Sequence, residues 1–310
     1  MCTAMKIDDL FGRTLDLEYG YAEQVVLTPR DFPLAMRHLP PLTHHHAILG
    51  MATVAEGFPL YYDAVNEQGL AMAGLNFPHS GRYAPISGRA NNVASFELIP
   101  YVLGKCATIA QARSLLATIR ICDTAFSDAY PPSRLHWMVA DATGALVVES
   151  TADGVKMYDN PIGVMTNEPT FDKQLAHWEN FAHVTNQEPD PTPPHLGRGS
   201  GSVGLPGDYT SPSRLVRAAF AVAHSKAEED TVGQFFHAIA TVEVPRGCLR
   251  LPNGKQVWSR YTSCMDLREK VYYYRTYGCH RIHGVRMSTP DGDRLATYPL
   301  PDSEDVKWET

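Results

Sequence analysis

Cys2 follows the initiator methionine, and it is the first residue in this sequence able to do chemistry. A small residue at this position permits removal of Met1, after which a thiol and a free amine belong to one residue. An α-amine titrates at about 7.7–8.0, so it can serve as a general base near neutral pH. Nucleophile and base then hold a geometry fixed by covalent bonds. Taken alone, Cys2 is equally a structural thiol, which is the commoner fate of an isolated cysteine. A few residues on, Gly12-Arg13-Thr14-Leu15-Asp16 places a cation and a carboxylate in one segment. An arginine beside a thiol favours the thiolate, and an aspartate beside an α-amine can orient it. The same two residues could form an ordinary surface pair. Two asparagines, in Gly74-Leu75-Asn76-Phe77-Pro78 and in Met165-Thr166-Asn167-Glu168-Pro169-Thr170-Phe171-Asp172, stand where strands are expected to end. Amide groups and backbone N–H groups at such ends are good oxyanion donors, because rigid elements hold them. Either asparagine could instead simply make a turn before its proline.

Other reactive residue types carry less. His44, His45 and His46 are consecutive and so point in different directions, which argues against a metal site. Tyr272-Tyr273-Tyr274 fits a strand or a subunit interface better than a substrate wall. The six cysteines form no C-x-x-C pair and no zinc spacing, and Cys248, Cys264 and Cys279 are expected to be buried packing residues.

Elements must position these groups. Runs rich in Val, Ile and Tyr predict strands over Glu23–Leu27, His46–Val54, Pro59–Val65 and Leu70–Leu75. Helical patterns cover Val93–Lys105 and Ile109–Ile119. A second strand group follows at Leu135–Ala140, Ala145–Ser150 and Val155–Tyr158, with Asp141-Ala142-Thr143-Gly144 and Ala152-Asp153-Gly154 as hairpin turns. Phe171–His183 reads as helix, and Glu188–Gly207 as a long loop of the kind that is often functional. Ser211-Pro212 opens another helix, with the serine as cap and the proline in the first turn, and Asp230–Val242 gives a further one. Strands are expected around Gln256–Met265, Lys270–Thr276 and Arg281–Met287. Hairpins favour antiparallel sheets whose faces the helix clusters cover. No repeat or clear linker interrupts the 310 residues, so one layered α/β domain over 1–310 is expected.

Bulk properties narrow the function classes. Hydrophobic residues make up 44% and charged residues 20%, the composition of a globular chain. The net charge of −7, with no basic block, argues against nucleic acid as a partner. The longest apolar runs are too short for a transmembrane helix, and the first residues lack a signal-peptide core. A cytoplasmic protein with free thiols is the expectation.

In combination and in order, these motifs resemble the choloylglycine hydrolase family, the N-terminal-nucleophile hydrolases that include bile salt hydrolases and penicillin V acylases. The resemblance rests on Met1-Cys2-Thr3, Gly12 to Asp16, Val26-Leu27-Thr28-Pro29-Arg30, Asn66-Glu67-Gln68-Gly69-Leu70 and Ala73 to Pro78. It continues through Leu135-His136-Trp137, Thr166 to Asp172, Gly204-Leu205-Pro206-Gly207-Asp208 and Ser211-Pro212-Ser213-Arg214. It implies a four-layer αββα sandwich with two mainly antiparallel sheets. It also implies roles: Cys2 as nucleophile and, through its amine, base; Arg13 beside the thiol; Asp16 holding the amine; Asn76 and Asn167 as oxyanion donors; and Arg214 completing the polar site. The implied reaction is hydrolysis of glycine- or taurine-conjugated bile acids through a Cys2 thioester, with no metal or organic cofactor and with a homotetrameric assembly. Asn76-Phe77-Pro78 resembles the bile salt hydrolase form of that segment; the alternatives are a penicillin V acylase and a non-catalytic bile-acid-binding protein. A steroid needs a broad apolar wall, for which Tyr19, Tyr21, Phe58, Phe126, Tyr130, Leu135 and Leu196 are the candidates.

Overall fold

The structure is a computed structural model that describes residues 1–88, 91–225, 231–288, 290–301 and 303. Two sheets dominate it. In the seven-stranded sheet the order is Val164–Met165, Cys2–Ile7, Leu10–Leu17, Gln256–Asp266, Val271–Thr276 and His283–Arg286, with Leu249–Arg250 paired to the Gln256–Asp266 strand. In the eight-stranded sheet it is Gly154–Asp159, Gly144–Thr151, Leu135–Asp141, Ala71–Asn76, Phe58–Asn66, Ile48–Ala55, Gln24–Thr28 and Ala296–Pro299. Neighbouring strands are antiparallel in both, as hairpin connections require. A short parallel pair, Asn91–Ala94 with Ile119–Cys122, stands apart.

The sheets pack face to face. Cys2, Phe11, Leu15, Tyr261 and Tyr272 of one meet Leu49, Val65, Leu75, Met138 and Val147 of the other in a continuous buried layer. The far face of the eight-stranded sheet is covered by the helices Leu98–Lys105 and Ile109–Leu116, through Val102, Leu103 and Leu116. The far face of the seven-stranded sheet is covered by Ser211–His224 and Thr231–Ala240, through Leu215, Phe235 and Ile239. The result is helix, sheet, sheet, helix: the expected αββα sandwich.

Several elements depart from the sequence reading. Cys2–Ile7 and Leu10–Leu17 are strands, although alternation did not mark them. Their residues are buried on both faces, by the opposite sheet on one side and by helices on the other, so no polar face breaks the pattern. Val93 lies in a strand and the helix there starts only at Leu98, after a 3₁₀ turn. The Phe171 helix stops at Glu179. The helix expected from Asp230 is observed over Thr231–Ala240, and Asp230 lies outside the described residues. Cys248 is exposed, unlike the buried Cys264 and Cys279.

Candidate active site

Cys2 is the first residue of a strand that is flanked on both sides. Its partner across the hairpin is Leu15. On the other side Ala4 pairs with Met165, and extending that register by two residues brings Cys2 opposite Asn167. The contact is made: the Cys2 N–H donates to Asn167 Oδ1 at 2.8 Å. Met1 is still attached here, so this nitrogen is a peptide N–H. Met1 is held in turn by the backbone of Asp16, through its amine to Asp16 O at 2.6 Å and its carbonyl from Asp16 N at 3.0 Å.

Asn167 and Arg214 lock this strand end together. Arg214 is fully buried, and its Nη1 donates to Cys2 O and Thr3 Oγ1 at 2.6 Å each, its Nη2 to Asn167 Oδ1 at 2.7 Å and its Nε to Tyr209 O at 3.2 Å. Burial pushes the Arg214 pKa down, opposed by the charges of Asp16 and Cys2. Asn167 Nδ2 donates to Asn76 O at 2.8 Å. Two donors on the oxygen and an acceptor on the nitrogen fix the orientation of this amide, since a flip would set NH₂ against two N–H groups. Asn167 thus holds the Cys2 nitrogen through its oxygen, while its Nδ2, with one N–H on Asn76 O, keeps a second N–H that can donate. The Asp16 carboxylate, the expected holder of that nitrogen, accepts from Ser259 Oγ at 2.6 Å and from Thr14 Oγ1 at 3.2 Å, one donor on each oxygen.

Arg13 reaches from its strand toward the other sheet. Nη1 donates to Gly74 O at 3.0 Å and Tyr62 O at 3.4 Å, and Nε donates to Thr14 O at 3.1 Å. Buried Nη2 has no partner among the described residues. Burial works against the guanidinium charge, but Cys2, Tyr261, Asp63 and Asp16 together hold the Arg13 pKa above its ordinary value. Behind it, Tyr261 and Tyr272 each donate to the buried Asp63 carboxylate at 2.6 Å. This accounts for the first residue of the aromatic run: Tyr272 is a cross-sheet donor on a strand and lies away from the cavity lining.

A cavity of about 320 Å³ opens above Cys2. It is lined by Cys2, Arg13 and Asn76 and by Tyr19, Tyr21, Phe126, Tyr130 and Leu135, as expected. Asn76 lines the cavity, and among the described residues its side chain makes no hydrogen bond that would hold it away from a ligand there. Phe58 is not part of the lining; it is buried edge-on against Phe96, which does line it, and near Phe126. The Glu188–Gly207 loop supplies no lining residue, and Leu196 is exposed. Sequence reasoning missed Leu60, Phe96 and Ile99. Leu60 could have been found from its alternation with buried Tyr61 on one strand, whereas Phe96 sits in a 3₁₀ turn with no periodic signal. Among the described residues no cluster of three or more His, Cys, Asp or Glu could hold a metal, and His44 and His46 instead face Asp31 and Glu67.

The same polar set can do acyl chemistry: a thiol at a cavity floor, a cation beside it, a free amide donor, and a nitrogen held beside the thiol. Known proteins with this architecture agree. The family model for linear amide C–N hydrolases, choloylglycine hydrolase family, matches residues 2–298. A bile salt hydrolase/transferase of Lactiplantibacillus plantarum is 40% identical, over 97% of both chains. One from Clostridium perfringens is 36% identical over 96% of both. The solved structure of the C2A mutant of the conjugated bile acid hydrolase from Clostridium perfringens superposes with a TM-score of 0.93 at 33% identity, covering 100% of both chains.

Proposed function

Because this chain belongs to the choloylglycine hydrolase family of linear amide C–N hydrolases, we propose that it cleaves the amide bond of bile acids conjugated to glycine or taurine. The observation that carries this reading is the position of the Cys2 thiol at the base of a cavity whose wall is largely apolar and aromatic. A rigid steroid buries far more apolar area in such a wall than a phenoxyacetyl group does, at roughly 25 cal/mol per Å². The relatives named for bile salts span nearly the full chain, which supports the same substrate class.

The mechanism starts with loss of Met1. The Cys2 nitrogen becomes an α-amine while keeping its bond to Asn167 Oδ1, which leaves its lone pair for the thiol proton. The thiolate, beside the Arg13 guanidinium, attacks the amide carbonyl. Charge develops on the carbonyl oxygen, and the free Asn76 amide is the side chain placed to donate to it. The α-ammonium protonates the departing nitrogen, so glycine or taurine leaves and the acyl group remains as a thioester on Cys2. The amine then takes a proton from water, which attacks the thioester and frees the bile acid. Arg214 holds Cys2 O and Asn167 throughout, so the two partners of the reacting residue do not drift.

The test is amine release from glycine- and taurine-conjugated bile acids and from penicillin V, measured side by side. Higher kcat/KM on the conjugated bile acids is expected. Equal or higher efficiency on penicillin V would assign the chain to acylase chemistry on the same nucleophile, and no release from any of them would end the catalytic reading in favour of a binding protein. We also read the chain as a cytoplasmic homotetramer, which light scattering of the purified protein checks.

A further inference from the structure

The site is divided between two sheets. Cys2 and Asn167 belong to the seven-stranded sheet and its margin, whereas Asn76 ends a strand of the eight-stranded sheet. The distance between the thiol and the oxyanion donor therefore depends on how far apart the sheets stand at this end. Leu135-His136-Trp137 runs along this junction: Leu135 and Trp137 line the cavity, and the histidine between them does not.

His136 is completely buried and projects into the layer between the sheets, as do its cross-strand neighbours Leu75 and Glu149. Its Nε2 donates to Thr166 O at 2.7 Å, on the peptide that leads into Asn167. Its ring lies parallel to Phe77, the residue after Asn76, with centroids 4.3 Å apart and planes 5° apart. Its Nδ1 faces Glu149 Oε1 at 3.3 Å, an oxygen that also accepts the Phe171 N–H at 2.9 Å. One ring thus touches the segment behind each asparagine. A carboxylate opposite fixes the ring and also ties down the start of the helix that follows Asn167. Burying a histidine and a glutamate costs free energy that leucines would not, so the pair is expected where its directional contacts matter.

We propose that His136, oriented by Glu149, is a positioning residue that sets the spacing between the oxyanion donor Asn76 and the Asn167–Cys2 pair. It touches no substrate and acts through the two asparagine segments. This rests on the reading that Cys2 and Asn76 act together on one amide. Displacing a reacting group by about 1 Å costs on the order of 100-fold in rate while leaving apolar substrate binding intact.

The experiment uses three full-chain variants. His136→Phe keeps the stack on Phe77 and loses the donor to Thr166. His136→Gln keeps an N–H at a similar reach. Glu149→Gln keeps an acceptor for Phe171 and exchanges one carboxyl oxygen near the ring for an amide nitrogen. Each is compared with the unchanged chain on whichever amide that chain cleaves fastest, so failure of the bile-acid assignment leaves the ratios readable. Alkylation of Cys2 by iodoacetamide, and the loss of activity it causes, reports on the nucleophile separately. The expected result for His136→Phe is a fall in kcat of about 100-fold with KM changed by less than about threefold and the alkylation rate unchanged. His136→Gln is expected to recover at least about tenfold of that loss, and Glu149→Gln to lose about tenfold in kcat at constant KM. A folded His136→Phe with kcat within about threefold of the unchanged chain overturns the proposal. Should that variant not fold, near-normal kcat in both His136→Gln and Glu149→Gln overturns it equally. A uniform fall in kcat, alkylation rate and thermal stability in every variant would also overturn it, reducing the pair to general support of the fold.

Discussion

Asn76 and Asn167 share a side chain and a place at strand ends, yet their surroundings separate them. Asn76 lines the cavity and its amide has no partner among the described residues, while the Asn167 amide is bonded to Cys2 N, Arg214 Nη2 and Asn76 O. Replacing each by alanine should therefore have different signatures. Asn76→Ala is expected to lower kcat by about 100- to 1,000-fold with little change in KM or melting temperature, because only a transition-state contact is lost. Asn167→Ala is expected to lower both turnover and stability, the latter by roughly 3 kcal/mol, since it leaves Nη2 of the buried Arg214 and the buried Cys2 nitrogen without their acceptor. Steady-state kinetics and thermal unfolding of both variants decide between these outcomes; equal stability of the two would contradict the division of labour. The residue types of this site were legible in the sequence only as an ordered set. Single positions were ambiguous, because an asparagine before a turn and an asparagine in an oxyanion site are written the same way. The bond from the Cys2 N–H to Asn167 Oδ1 was not legible at all. It arises from register across a strand that local pattern did not reveal.

Seven of the eight strands of the larger sheet were legible to within a residue or two, because turns such as Asp141 to Gly144 punctuate them and β-branched runs fill them; the edge strand Ala296–Pro299 was not. The strand that carries Cys2 was not, since burial on both faces erases alternation. The helix that carries Arg214 was legible, but its cap was misassigned. Thr210 occupies the cap position, and Ser211 Oγ is diverted to accept the Asn167 N–H at 2.8 Å and to donate to Thr166 Oγ1 at 2.8 Å. Among the described residues no side chain accepts a first-turn N–H of this helix; Asp208 instead braces the residues at its start, its carboxylate accepting from Thr210 N–H, Thr210 Oγ1 and Ser213 Oγ. Those bonds, Ser213 first, pull the Asp208 pKa down to about 2. A carboxyl with a folded pKa below its unfolded value of about 3.9 contributes stability that is present above that value and lost as pH falls toward about 2. Asp208→Asn should therefore melt a few degrees lower than the unchanged chain at pH 7, a difference that shrinks by about pH 2. The effect is small because Asp208 is exposed and solvent screens it. A pH-independent gap between the two melting curves would show that the side chain acts by shape and not by charge.

At the scale of the molecule, the catalytic strand is an interior strand of its sheet, and its first residue is also the nucleophile. The chain leaves that strand toward Met1, which is only partly buried and is clasped by the backbone of Asp16. The bond by which Asn167 holds the Cys2 nitrogen needs only an N–H there, whether amide or amine, so a residue before Cys2 is expected to leave the fold intact. Folding and activation are separable for this reason. An uncleavable amino-terminal tag should leave the melting temperature close to that of the untagged chain and yet abolish turnover, because an amide nitrogen has no basic lone pair with which to take the thiol proton. The same tag at the carboxy terminus serves as the control, and intact-mass measurement should find the active protein without Met1. Alkylation separates the steps further. In the tagged protein Cys2 should still be reachable through the cavity mouth but should react slowly at neutral pH, since its own residue no longer supplies the base. An amino-terminally blocked chain that turns over at the full rate would place the base elsewhere, and Asp16 would then be the first residue to replace, because its carboxylate lies on the strand paired directly with that of Cys2.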